Sequence, residues 1–153
     1  IKQLNVKLIV AGEFYTDAKP YWDLITSLGI ADKLILKTDF VSDDQVKYFF
    51  CAADLVVQPY KHATQSGVTQ ICYHFDRPML VTNVGGLPEI VPNGKVGYVV
   101  EPDPSSIADA IVDFYGNHRE LLYRDNIRLE KKKYAWSEML KKIAEVTALV
   151  PAK

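Results

Sequence analysis

Residues 54–91 read D-L-V-V-Q-P-Y-K-H-A-T-Q-S-G-V-T-Q-I-C-Y-H-F-D-R-P-M-L-V-T-N-V-G-G-L-P-E-I-V, and this stretch decides the fold. Leu55 to Gln58 is a short apolar run closed by Pro59. Thr64 or Ser66 then opens a segment whose Val68, Ile71, Cys72 and Phe75 recur at i, i+3, i+4, i+7, the spacing of one helix face. Met79 to Thr82 is a second apolar run, ended by Gly85-Gly86. The order is strand, helix, strand: one βαβ unit.

In such a unit ligands collect where strand carboxyl ends meet helix amino ends. Several backbone N–H groups lie unpaired there, and the helix dipole adds partial positive charge. An anion would sit over Thr64 to Val68. Gly67 lets a ligand approach the first turn with no Cβ in the way, and Thr64, Gln65 and Ser66 supply side-chain donors. Thr64 and Ser66 have a plainer reading as N-caps of the helix, and local chemistry alone does not separate the two.

A chain of 153 residues can bury a core of its own, so one domain suffices. Hydrophobic content of 48% and charged content of 24% are those of a globular protein, and a net charge of -1 gives no reason to expect nucleic acid as a partner. No stretch reads as a transmembrane helix or a signal peptide. Cys51 and Cys72 both fall on predicted core-facing or helix-packed positions, which favours buried reduced thiols over a disulfide and fits a cytoplasmic protein. His62, His74 and His118 form no spaced ligand cluster with them, so no metal is expected. Beginning at Ile1 and moving almost at once into a strand, the sequence reads as a piece of a longer chain.

Outward from the central unit, Val6 to Ala11 is a strand ended by Gly12-Glu13. Thr16 or Asp17 caps a helix with Pro20 in its first turn, an apolar stripe at Tyr21, Leu24, Ile25 and Leu28, and Gly29 just past its end. Leu34 to Leu36 is the next strand. Ser42 with Gln45 makes a capping box for a helix carrying Val46, Phe49, Phe50 and Ala53, whose acidic pair Asp43-Asp44 needs only the helix dipole as its reason. After Val91, Pro92-Asn93-Gly94 is a turn and Val96 to Val100 a strand closed by Glu101-Pro102. Ser105 or Ser106 caps a helix with Ile107, Ala110, Ile111 and Phe114, and Gly116 lies beyond it. Strands alternating with helices of this length imply a Rossmann-like α/β fold, a doubly wound parallel sheet with helices on both faces.

From Asn117 the texture changes. Residues 117–142 hold eight Lys or Arg against four acids. The excess reads as a solvated helical face, or as a surface for an acidic partner or anionic membrane. Ser137 caps a last helix with Leu140, Ile143, Ala144 and Thr147 on one face, and Tyr134 and Trp136 are expected to anchor it on the core. The predicted division is 1–116 for the α/β body and 117–153 for these C-terminal helices.

Five segments in this order carry a family resemblance: L-I-V-A-G-E (8–13), T-D-F-V-S-D-D-Q-V (38–46), A-A-D-L-V-V-Q-P-Y (52–60), R-P-M-L-V-T-N-V-G-G-L-P-E-I-V-P-N-G-K-V-G-Y-V-V-E-P (77–102) and Y-A-W-S-E (134–138). They resemble the carboxyl-terminal half of retaining GT-B glycosyltransferases of family 4, glycosyl transferases group 1. The most specific piece is Pro78 to Pro102.

The resemblance implies the donor-binding half of a metal-independent enzyme that uses no cofactor beyond its nucleotide-diphosphate-sugar substrate. A missing N-terminal domain would bring the acceptor across a cleft. The turn from Thr38 to Ser42 would pass beside the nucleobase, with Phe40 and Val41 offering backbone groups and an apolar wall. The Thr64–Val68 turn would hold the diphosphate, whose growing charge as leaving group is what catalysis must stabilise.

Two departures stand out. The family's paired glutamates fall on Ala63 and Ile71 here, leaving Gln65 and Gln70 as neutral groups able to bond hydroxyls. The family's Arg and Lys phosphate clamp would lie upstream of Ile1. The isolated piece is therefore expected to bind a nucleotide weakly and not to transfer sugar.

Single residues complete the candidate set. Lys61 follows the third strand's exit, where it pairs with a phosphate or is simply solvated. His62 bonds the sugar or is incidental. Glu89 caps a short helix or touches donor or acceptor, and Gly85 and Gly86 admit a close backbone approach at the cleft or only a tight turn.

The reading is a glycosyltransferase donor domain, cytoplasmic with a possible peripheral membrane contact. A degenerate, non-catalytic nucleotide-binding or scaffold domain is the alternative. A receiver-like signalling domain fits less well, since it needs clustered acids after the first strand and an aspartate ending the third, where Glu13 stands alone and Gln58-Pro59-Tyr60 follow Val57.

Overall fold

The computed structural model describes residues 4–148. The chain divides into two compact units, Ile1–Ala53 and Asp54–Lys153.

In the first unit, strand β1 (Leu8–Ala11) pairs in parallel with β2 (Leu34–Lys37), Leu8 opposite Leu34. β1 thus begins two residues later than the apolar run that starts at Val6. Helix α1 (Lys19–Leu28) connects them with Pro20 in its first turn. Its N-cap is Ala18, not Thr16 or Asp17, although the Asp17 carboxylate accepts the Lys19 N–H at 3.0 Å and so serves the same end from one residue further out. Gly29 ends α1 at φ 59, and the Ile30 N–H reaches back to the Ile25 carbonyl, the six-to-one bond of a Schellman stop. Helix α2 (Asp43–Ala52) starts at Ser42, whose N–H is accepted by Gln45 Oε1 at 3.4 Å, the return half of the expected capping box. Cys51 is exposed, against the expectation of a buried thiol at a core-facing or helix-packed position, while Cys72 in the second unit is buried; the two are not joined in a disulfide. Phe49 and Phe50 are half-buried, and Cys51, the next residue round the helix, falls on the outer side of α2.

In the second unit, β3 (Val56–Gln58), β4 (Met79–Thr82) and β5 (Gly97–Val100) form a parallel sheet in the order β3-β4-β5, with Gln58 opposite Val81 and Val81 opposite Val99. Every residue of β4 is buried, as a central strand covered on both faces requires. Helix α3 (Gly67–His74) joins β3 to β4, and the short α4 (Leu87–Ile90) follows the β4 exit. Met79, Leu80, Val81, Leu87, Val91, Val96, Phe114 and Ile127 make the core. Parallel strands alternating with helices are the α/β class expected.

Helix α5 (Pro104–Gly116) opens at Asp103, which accepts the N–H groups of both Ser105 and Ser106 at 2.9 Å. The serines expected to cap it lie inside its first turn, because an aspartate followed by proline at the first helical position is the stronger start. Those bonds, the Ser106 hydroxyl's first among them, hold the Asp103 carboxyl below its usual range.

Helix α6 (Glu120–Glu130) buries Tyr123, Ile127 and Glu130 at i, i+4, i+7. Tyr123 meets Tyr98 of β5 edge-on at 5.4 Å, and the Tyr98 hydroxyl donates to Asp113 of α5 at 2.6 Å, so sheet, α5 and α6 are locked together. A 3-10 turn (Lys131–Tyr134) leads to α7 (Trp136–Ala148), none of whose residues is buried.

Tyr134 packs on Tyr73 at 4.9 Å, but Trp136 is 77% exposed and is not anchored on the core. Ser137 lies within α7 instead of capping it, and the Ala135 carbonyl takes the first N–H. Of the eight basic residues in 117–142, six (Arg119, Arg124, Arg128, Lys131, Lys133 and Lys142) are in ion pairs, three of them reaching Asp113 and Asp76 outside the segment. Intramolecular pairing thus absorbs most of the excess.

Candidate functional site

The carboxyl end of β3 and the amino end of α3 are joined by residues 59–66, and the sequence dictates the shape of this loop. Pro59 cannot continue the ladder, so the chain leaves the sheet after Gln58. Ser66 is the N-cap of α3: its Oγ accepts the Val68 N–H at 3.2 Å, and the Thr69 hydroxyl donates to the Ser66 carbonyl at 2.6 Å. Of the two expected caps Ser66 is the one used.

The loop's carbonyls and amides are treated differently. The Tyr60 carbonyl accepts a 2.6 Å bond from the Thr82 hydroxyl, and the Thr64 carbonyl accepts the Gly86 N–H at 2.8 Å. By contrast the backbone N–H groups from Lys61 to Gly67 have no acceptor among the described residues. Two carbonyls are tied back to the β4 exit while a run of amides stays open at a helix amino end. That arrangement suits an anion.

Gly85 and Gly86 hold this loop from the other side. Gly85 has φ 53, and a Cβ there would stand 1.8 Å from the Ala63 carbonyl oxygen; a Cβ on Gly86 would be 3.0 Å from the Thr64 oxygen. The close approach these glycines permit is to the chain's own backbone.

Lys61, Thr64, Gln65, Ser66, Gly67 and Val68 therefore come together with Gly85 and Gly86 on one rim of the second unit. Lys61, Thr64 and Gln65 are exposed, and Lys61 has no ion-pair partner among the described residues. Gln70 is exposed one turn along α3. Glu89 lies in the first turn of α4, which Gly86 starts; the glutamate is exposed and makes no capping bond. Phe40, 73% exposed, and the half-buried Val41 belong to the first unit, at the turn between β2 and α2.

Three residues of this rim escaped sequence reading. Tyr60 brings its hydroxyl to 3.4 Å from Ser66 Oγ. Thr82 is fully buried, and its only sequence mark is a hydroxyl ending an apolar run. Gln58 is buried with neither side-chain amide atom partnered among the described residues. Cys72, on the inner side of α3, is no nucleophile, since burial pushes its thiol up to about 12. Among the described residues no group of three or more His, Cys, Asp or Glu is placed to hold a metal ion, and no helix is long and apolar enough to cross a membrane.

A family model described as "Glycosyl transferases group 1" matches residues 1–117. An uncharacterized glycosyltransferase of Methanocaldococcus jannaschii is 30% identical over 151 residues, 95% of this chain and 38% of the relative. A D-inositol 3-phosphate glycosyltransferase of Streptomyces avermitilis is 33% identical over 92 residues, 60% of this chain and 20% of its own length. Among solved structures, Anabaena HepE in complex with UDP superposes with a TM-score of 0.75 at 17% identity, covering 95% of this chain and 41% of that one. The chain thus spans less than half the length of each. The fold is the Rossmann-like one expected, one half of a GT-B arrangement.

Proposed function

Since the chain belongs to the glycosyl transferases group 1 family, we propose that it is the donor-binding part of a retaining glycosyltransferase that takes a nucleotide-diphosphate sugar. The observation that carries this reading is the run of amides from Lys61 to Gly67, unpaired among the described residues, at the head of α3. A diphosphate placed there meets backbone donors, the helix dipole and the free Lys61 ammonium, so its charge is answered without a metal. Those donors act more strongly on the departing diphosphate than on the intact donor, because charge grows there as the glycosidic bond breaks.

UDP is the natural first ligand to try, since the Anabaena neighbour was solved with it. Gln65 and Gln70 are the groups we assign to sugar or ribose hydroxyls, in place of the carboxylates that Ala63 and Ile71 do not supply. The exposed face of α7, with Trp136, Leu140 and Ile143, is assigned to contact with the rest of the enzyme, which brings the acceptor.

The test is calorimetry of UDP on the full-length protein and on Ser66→Asp. Aspartate caps helices as well as serine does, so the fold is kept while a negative charge enters the proposed phosphate site. Binding should weaken at least about tenfold, roughly 1.4 kcal/mol. Unchanged affinity would place the phosphates elsewhere.

A further inference from the structure

Thr82 ends a strand whose other three residues, Met79, Leu80 and Val81, are fully buried and apolar. A valine would fill the same volume and suit a central strand better, so the hydroxyl is what distinguishes the residue. Its one bond among the described residues, 2.6 Å to the Tyr60 carbonyl, crosses from the β4 exit to the β3 exit.

Tyr60 is thereby held at one end by Thr82, while its hydroxyl stands 3.4 Å from Ser66 Oγ at the other. Ser66 Oγ already accepts the Val68 N–H. A serine oxygen has two acceptor sites and one proton. Either hydroxyl can donate across that 3.4 Å contact; when Tyr60 donates to the second acceptor site, Val68 using the first, the Ser66 proton is left for an oxygen of an incoming phosphate.

We infer that Thr82 is a positioning residue for phosphate recognition, acting through Tyr60 to orient the Ser66 hydroxyl toward the ligand. The inference rests on the phosphate-site reading above and adds the residues that set its geometry. Thr82 touches no ligand. It fixes where the Tyr60 main chain leaves the sheet, and hence whether the phenol reaches the cap. The second tie, Gly86 N–H to the Thr64 carbonyl, holds the far end of the same loop, so the segment between is clamped at both ends.

The experiment measures UDP and uridine affinities by calorimetry on the full-length protein with Thr82→Val, Thr82→Ser, Tyr60→Phe and the Thr82→Val/Tyr60→Phe double variant. Thr82→Val should weaken UDP binding about threefold to tenfold, the scale of one lost hydrogen bond, with uridine affinity unchanged. Thr82→Ser should restore wild-type affinity, since it keeps the hydroxyl and shows that the loop still folds. Tyr60→Phe should weaken UDP binding by a similar factor, and the double variant should be no weaker than the poorer single one, because both changes cut one chain of contacts. Losses that multiply, an equal loss for uridine, or failure of serine to rescue would each overturn the inference while leaving the phosphate site in place. Indifference of UDP binding to Ser66→Asp would instead bring down the site reading, and the inference with it.

Discussion

The carbonyl oxygen of Ala63 lies 1.8 Å from the point where a Cβ on Gly85 would stand, with Gly85 at φ 53. Position 85 is thus closed to any side chain on two counts, backbone conformation and space. Gly85→Ala must move the Ala63–Thr64 main chain and break the Gly86 to Thr64 bond. We expect a loss of about 1–2 kcal/mol from the left-handed conformation alone, more from the displaced loop, and a melting midpoint lower by at least about 2–4 °C. Thermal unfolding followed by circular dichroism checks this; an unchanged midpoint would mean that the loop is not clamped as described.

Glu130 contributes to acid stability. Its side chain is only 3% exposed and sits between Lys95, at 2.6 Å, and Lys133. Hydrogen bonds from Lys133 and then Lys95 hold its carboxyl below the ordinary value of 4.5. A carboxyl with a depressed folded-state value stabilises the protein above the ordinary value, and that contribution is lost as pH falls through the depressed one. In urea titrations, wild type should exceed Glu130→Gln in stability at neutral pH, on the order of 1–3 kcal/mol for a buried charged group losing its bonds. The gap should narrow steadily below pH 4.5. A gap that is constant with pH would contradict the assignment.

Leu80 carries the core of the second unit, fully buried in its central strand. Leu80→Ala should cost about 2–5 kcal/mol. The denaturation midpoint measures it, and a cost under about 1 kcal/mol would mean that the strand is not enclosed on both faces.

The parallel α/β class could be read from the chain because its signals are local and redundant. Met79 to Thr82 is apolar, Gly29 stops α1, and Ser42 with Gln45 starts α2, each within a few residues. Helix starts are harder to read where two local signals compete. Asp103 outbid Ser105 and Ser106 because Pro104 fixes the first helical position. Trp136 and Leu140 have the spacing of a buried face, and periodicity alone does not say whether a partner surface is present to cover it.

In the site, Ser66, Gly67 and their neighbours could be found because strand exits and helix starts are visible in sequence. Thr82 and Tyr60, 22 residues apart, could not. Their bond exists only through the register that places β4 beside β3, and nothing in either residue's surroundings announces the other. The same holds for Gly85 against Ala63: a Gly-Gly pair marks a turn, but what the turn presses on is a matter of tertiary structure.

The most direct measurement is a crystal structure of the full-length protein with UDP bound. The account predicts diphosphate oxygens within about 2.7–3.2 Å of the backbone N–H groups between Gln65 and Val68, with the Ser66 hydroxyl donating to one of them. A nucleotide seated at the amino-terminal ends of β4 and β5, beside Arg77 and Lys95, with the Lys61–Gly67 amides facing only solvent, would contradict it.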